Sequence, residues 1–155
     1  MLPAEEYYVY NSFVGGKNRK KTYTICRGCK QSQRNRKCNA DPRQYINRAH
    51  QQLRSSRKYR DPHLDFEITS DDLYEKYVSQ SALCALSGIP MENYRDGSGV
   101  KNPFNISIDR ISNESGYHKE NVQLVCQAIN IMKGTQTDEQ FIKLCAAVTL
   151  HSSNI

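Results

Sequence analysis

A chain of 155 residues with 22 Lys and Arg against 16 Asp and Glu, a formal charge of +6, has room for one modest domain or for a compact core with a charged arm. No apolar run reaches the length of a membrane span and no charged-then-apolar leader follows Met1, which argues against insertion or export and for a soluble intracellular protein of the cytoplasm or host-cell cytoplasm. The charge is uneven: Lys17 to Arg60 holds fifteen basic residues against the single acid Asp41, a local +14, so the remainder carries −8.

Tyr7, Tyr8, Tyr10 and Phe13 followed by Gly15-Gly16 suggest a short strand or docked segment ending in a turn. Asp41-Pro42 has the form of an N-cap with proline at the first helical position, and Ile46, Ala49 and Leu53 mark one face of the helix that follows. That helix should end before Pro62, because the residue preceding a proline is pushed out of helical geometry. Thr69 with Asp72, or Ser70 with its following acids, opens another helix through Leu73 and Tyr77. Gly88 and Pro90 break the chain, and Asn93 to Pro103 forms a polar loop. From Phe104 onward the pattern alternates: Phe104, Ile106 and Ile108 against Asn105, Ser107 and Asp109, then, after a reversal through Ser112 to Tyr117, Val122, Leu124 and Cys126 against Gln123 and Val125. Both stretches suit half-buried strands, and a helix carrying Asn130 and ending at Gly134 follows them. Thr137 and Gln140 form the capping box of a terminal helix whose stripe of Phe141, Leu144, Cys145 and Val148 should be buried.

The basic block is rich in Arg and interleaved with Tyr23, Tyr45, Tyr59, Asn and Gln, a composition suited to gripping phosphates. Its candidate contacts are Arg34, Arg36, Lys37, Arg43, Arg48, Arg54, Arg57, Lys58 and Arg60. By itself such a run is as often a solvated helix face beside a flexible loop.

Within residues 104–133, Asp109-Arg110, Gly116-Tyr117, Glu120-Asn121-Val122-Gln123-Leu124-Val125-Cys126, and Asn130 with Met132-Lys133 occur in an order that resembles the HNH, or ββα-metal, endonucleases, in particular the phage and PacI-type branch with Asp-Arg in place of Asp-His. The likeness covers residues 84–145 well and residues 23–83 loosely. It implies an α+β fold: a ββα-metal finger surrounded by helices at residues 104–133, inside a nuclease core at 63–155 that follows a basic DNA-binding arm at 1–62. It also implies one Mg²⁺ or Mn²⁺ on Asp109 and Asn130, a supporting role for Asn121, and hydrolysis of phosphodiester bonds in double-stranded DNA. The plain alternative is an ordinary hairpin on a helix, with Asp109 and Arg110 a surface pair.

Arg110 stands where most members carry the histidine general base, and a guanidinium cannot accept a proton near neutrality. Its expected work is on the phosphate. The base is then another residue or a water whose pKa is lowered by its surroundings; His63 is the first candidate residue, with His118 and Tyr94 behind it, although a histidine after Pro62 also reads as a simple exposed turn residue. His50 and His151 have no constellation around them. Lys133, one turn beyond Asn130, is either a further DNA contact or a solvated helix-end lysine. Cys26-Arg27-Gly28-Cys29 has the spacing of half a structural Zn²⁺ site, which Cys38 and a distant ligand such as His50 can complete. The counterparts of a second zinc site are degraded, with Ser87 after Cys84 and Ile129 after Cys126, so those two cysteines and Cys145 read as buried thiols.

The expected protein is thus an HNH endonuclease of restriction, homing or phage type, and double-strand cleavage by one finger per chain would require a homodimer. Two alternatives stand beside it: an inactive DNA-binding module on the same fold, and an RNA-binding protein.

Overall fold

The computed structural model describes residues 7–14, 17–60 and 62–153, with side chains over 26–56 and 62–153. The chain is α+β, with elements in the order β1 (Tyr7–Val14), β2 (Lys17–Cys26), α1 (Arg27–Ala40), α2 (Pro42–Arg60), α3 (Ser70–Ser79), β3 (Ile106–Arg110), β4 (Val122–Cys126), α4 (Gln127–Lys133) and α5 (Asp138–Ser152). The strands form two separate antiparallel hairpins, β1–β2 and β3–β4. The segment expected before Gly15-Gly16 is the strand β1, while those two glycines and the aromatic side chains of β1 lie outside the described residues.

Local chemistry accounts for most boundaries. Asp41 caps α2 through a carboxylate that accepts from the Arg43 amide at 2.8 Å, with Pro42 supplying a helical φ and no orphan donor. Thr69 and Asp72 close a full capping box on α3, and Thr137 and Gln140 do the same on α5. At Gly134 the chain takes φ +56°, in the left-handed region, and stops α4. Gly116 is required for a different reason: a Cβ there would fall on the Asp65 carbonyl oxygen, because Tyr117 pairs with the 65–68 segment through hydrogen bonds of 2.9 Å to Asp65, Glu67 and Ile68.

One core unites α2, α3 and the second hairpin. Tyr45 and Ile46 from α2, Leu73 from α3, Ile106 from β3, and Val122, Leu124 and Val125 from β4 share it with Cys38, Ile68, Cys84, Met91, Tyr117 and Cys126, and Ala49 and Leu53 pack against its edge. A boundary at residue 62 therefore does not separate two cores, since the basic segment supplies a wall of the same interior. The end of α1 is also tied across the fold, with the Asn39 side chain donating to the Arg95 carbonyl at 3.0 Å and accepting from the Arg95 amide at 2.8 Å.

Two sequence expectations need correction. The first strand begins at Ile106, and Phe104 precedes it half exposed, because Asn102 and Asn105 fold the approach into a turn. The stripe of α5 is not buried as a whole: Phe141 is, but Leu144 is 54% exposed and Val148 66%. Beyond the first turn only Cys145, expected as a buried thiol, is half-buried, and the rest of the apolar stripe is exposed among the described residues.

Candidate functional site: a polar hairpin beside a basic cleft

In the β3–β4 register, Asp109 lies opposite Gln123, and α4 follows β4 without a loop. Strand alternation puts Asp109 and Gln123 on one face, and packing by α4 and the start of α5 then encloses that face. The result is a buried polar network. Lys133, with none of its side chain exposed, places Nζ 2.7 Å from Asp109 Oδ2, 2.8 Å from Asp138 Oδ1 and 2.7 Å from the Arg110 carbonyl. Gln123 Nε2 donates to Asp109 Oδ2 at 3.0 Å and to Asp138 Oδ2 at 2.9 Å. Burial would depress the Lys133 ammonium, but hydrogen bonds and charges from Asp109 and Asp138 outweigh it and hold its pKa above the ordinary lysine value. Lys133 is therefore neither a solvated residue nor placed to touch DNA.

Asn130 donates through Nδ2 to Ser107 Oγ at 2.7 Å and to the Ile108 carbonyl at 3.1 Å. A carbonyl can only accept, which fixes the amide with its Oδ1 turned away from the strand. Among the described residues, neither Asn130 Oδ1 nor Asp109 Oδ1 takes a hydrogen bond. Asn121, buried at the far end of the hairpin, donates to the carbonyls of Ser112 and Gly116, both at 2.9 Å, and accepts from the Ser112 amide at 2.8 Å. It ties down the loop between the strands. The Arg110 guanidinium donates to the Ser115 carbonyl at 3.3 Å and lies 5.0 Å from the centre of the Tyr117 ring.

Asp109, Arg110 and Asn130 line an open cleft of about 1590 Å³, well above the roughly 300–1,000 Å³ of small-molecule pockets. The same cleft is lined by Arg34 and Lys37 from α1 and Arg48 from α2, and the loop after Met91 adds Arg95 and Lys101. Arg48 Nη1 and Arg95 Nε are buried there without a hydrogen-bond partner, an arrangement that suits an incoming anion. The loop cations were not singled out from sequence, since an isolated Arg or Lys in a polar loop carries no local signal.

Other predicted residues lie elsewhere. Arg43 pairs with Asp71 at 3.0 Å and stacks on Tyr74, while Arg36 and Arg54 are exposed away from the cleft. The side chains of Arg57, Lys58, Tyr59 and Arg60 lie outside the described residues. His63 is exposed in the turn after α2 and does not line the cleft. His118 pairs with Glu120 at 3.1 Å, and His50 meets the Ile68 carbonyl at 2.9 Å and lies tilted against the Phe66 ring. Tyr94 does line the cleft, more than half exposed. Cys29 donates its amide to Cys26 Sγ at 3.3 Å, and contact with Cys26 raises the Cys29 thiol pKa. Cys38 sits nine residues farther along the same helix, about 13 Å at 1.5 Å per residue, too far to share a zinc with Cys29. No three Cys, His, Asp or Glu side chains gather for a metal among the described residues.

No family model matches the chain, and no solved structure matches it. Over 94 residues it is 31% identical to an uncharacterized 29.0 kDa protein in the dda-modA intergenic region of Enterobacteria phage T4. The match takes in 61% of this chain and 33% of the phage protein, so the chain spans about a third of that relative's length. No helix among the described residues is long and apolar enough to cross a membrane.

Proposed function

We propose that the chain is a metal-dependent DNA endonuclease of the HNH kind, with β3, β4 and α4 acting as its ββα-metal finger. The observation that carries the reading is the pair of unbonded oxygens, Asp109 Oδ1 and Asn130 Oδ1, on residues that line the same cleft as Arg34, Lys37 and Arg48. A carboxylate and an amide oxygen suit a hard cation that keeps most of its water, so the donor set fits Mg²⁺ or Mn²⁺. When bound there, such an ion neutralises charge building on the leaving oxygen of the phosphate.

The chain's own residues supply the rest. Arg34, Lys37 and Arg48 hold the duplex through phosphates, and Arg110, on the same wall as Asp109, takes a non-bridging oxygen of the attacked phosphate. Asn121 keeps the 112–116 loop closed behind Arg110. Water attacks phosphorus and a P–O bond breaks. No histidine lines the cleft, so the proton of the attacking water passes to solvent or to phosphate. That same lack favours a second reading, a DNA-binding module that has lost catalysis. Likeness to a phage protein supports action inside a host cell for either.

Incubation with supercoiled plasmid in Mg²⁺, Mn²⁺ or EDTA separates the two. The endonuclease reading expects nicked or linear product that EDTA abolishes, with Asp109→Ala and Asn130→Ala slower by at least about 10²-fold yet still shifting DNA in a gel. In the same gels at rising salt, Arg34→Gln, Lys37→Gln and Arg48→Gln should each lower the salt slope of binding by about one unit. Binding without cleavage under every metal would establish the inactive module, and undiminished cleavage by Asp109→Ala would overturn the site.

A further inference from the structure

Asp109 does not offer its whole charge to the cleft. Its Oδ2 is held by the Lys133 ammonium and by Gln123, and only Oδ1 remains. Lys133 cannot swing aside to release the other oxygen: it is fully buried, held by three partners, and rooted in the short helix that also carries Asn130. Among Asp109, Asp138, Lys133 and Arg110 the cations offset the carboxylates. Asp109 and Asp138 carry −2, while Lys133 and Arg110 carry +2.

A divalent ion arriving alone would meet one neutral amide oxygen and one carboxylate whose charge is already shared with Lys133, and hard cations bind more weakly as the charge of their ligands is reduced. A phosphate from the duplex brings both a negative charge and further oxygens to the same place. We propose that Lys133 is a built-in cation that keeps the Asp109–Asn130 site from filling by itself, so that divalent metal and nucleic-acid phosphate bind there together. The proposal rests on the metal-site reading above. It makes Lys133 a positioning residue that never touches substrate. Linkage requires the effect to be reciprocal: DNA tightens metal by the factor by which metal tightens DNA, a coupling on the order of 5–150-fold.

The test is Mn²⁺ titration of the full chain followed by electron paramagnetic resonance, together with duplex affinity measured by anisotropy with and without Mn²⁺, using phosphorothioate DNA to resist hydrolysis. Wild type should bind free Mn²⁺ weakly and gain affinity with duplex. Lys133→Met should raise free Mn²⁺ affinity about tenfold and shrink the coupling. Asp138→Asn, which leaves Lys133 in place and removes a negative charge, should lower free affinity. The double variant, in which one charge of each sign is lost, should return near wild type. Should Lys133→Met fail to fold, the Asp138→Asn and double variants still set the order. Equal free Mn²⁺ affinity across the folded variants, or no coupling to DNA in wild type, overturns the proposal. If metal-dependent cleavage persists in that case, the endonuclease reading stands without it, whereas absence of Mn²⁺ binding with and without duplex removes both.

Discussion

The hairpin with α4 and the terminal helix α5 invert each other's chemistry. In the first, Lys133, Asp109 and Gln123 are enclosed and each is matched to a partner within 3.0 Å. In the second, Leu144, Val148 and Leu150 stand more than half exposed along a helix attached by its first turn, where Asp138 joins the polar network and Phe141 is buried. Periodicity tells which residues share a face, whereas the neighbouring element decides whether the face is covered. A buried charge survives only where its partners are fixed, so the enclosed network must be rigid. An exposed apolar stripe has no such demand placed on it.

The sharpest way to break the contrast is Lys133→Ala. Two carboxylates would then face a vacated site with only Gln123 between them, and loss of one partner of a buried ion pair costs about 3–5 kcal/mol. Urea denaturation near neutral pH should show that loss in the midpoint. A change below about 1 kcal/mol would mean that water reaches the network and that Lys133 is not enclosed as described.

How much of this could be read from sequence depended on the range of the interactions. The capping boxes of α3 and α5 and the Asp41-Pro42 start of α2 lie within four residues and were legible as spellings. So was the reversal between β3 and β4. The helix α1 was not, because it buries only Asn35 and Cys38 and so presents no apolar period, and its Arg- and Lys-rich face reads equally as loop. Lys133 with Asp138 was missed for a related reason. Each has a sufficient local explanation, as a basic helix end and an acidic first turn, and only the folded chain brings their side chains to 2.8 Å. The exposed α5 stripe is the converse case: its pattern is genuine, but nothing in 15 residues states what packs against it.

Alkaline pH probes the enclosed region more gently. Burial next to Cys84 pushes the Cys126 thiol up from 9.0 to about 11. A group whose folded pKa is raised contributes stability in full below its unfolded value and loses it as pH climbs through the folded one. Both states hold a neutral thiol at pH 8, so Cys126 makes the fold lose stability only as pH climbs from about 9 to 11, where the unfolded chain ionises it first. Lys133, also raised, acts in the same direction at still higher pH. Cys84 works the other way, since burial would raise it but hydrogen bonds from Ser87 and nearby backbone groups outweigh that and hold it below its ordinary value. Stability measured from pH 8 to 11 should fall in wild type and fall less steeply in Cys126→Ala, whatever the variant's absolute loss. Identical slopes would place the thiol in water.

The smallest effect is expected on α5, where it sharpens the comparison from the other side. Leu144→Gln and Val148→Gln exchange exposed hydrocarbon for a polar chain of good helix propensity, so neither core packing nor the helix itself should suffer. Each should change the unfolding free energy by no more than about 0.5 kcal/mol, as for surface substitutions generally. Phe141, three residues before Leu144 on the same stripe but buried, marks where that tolerance should stop. The measurement is chemical denaturation at two protein concentrations a hundredfold apart. A loss well above 1 kcal/mol that appears only at the higher concentration would mean that a second copy covers the stripe, and the contrast between an enclosed polar hairpin and a bare apolar helix would then hold for the isolated chain alone.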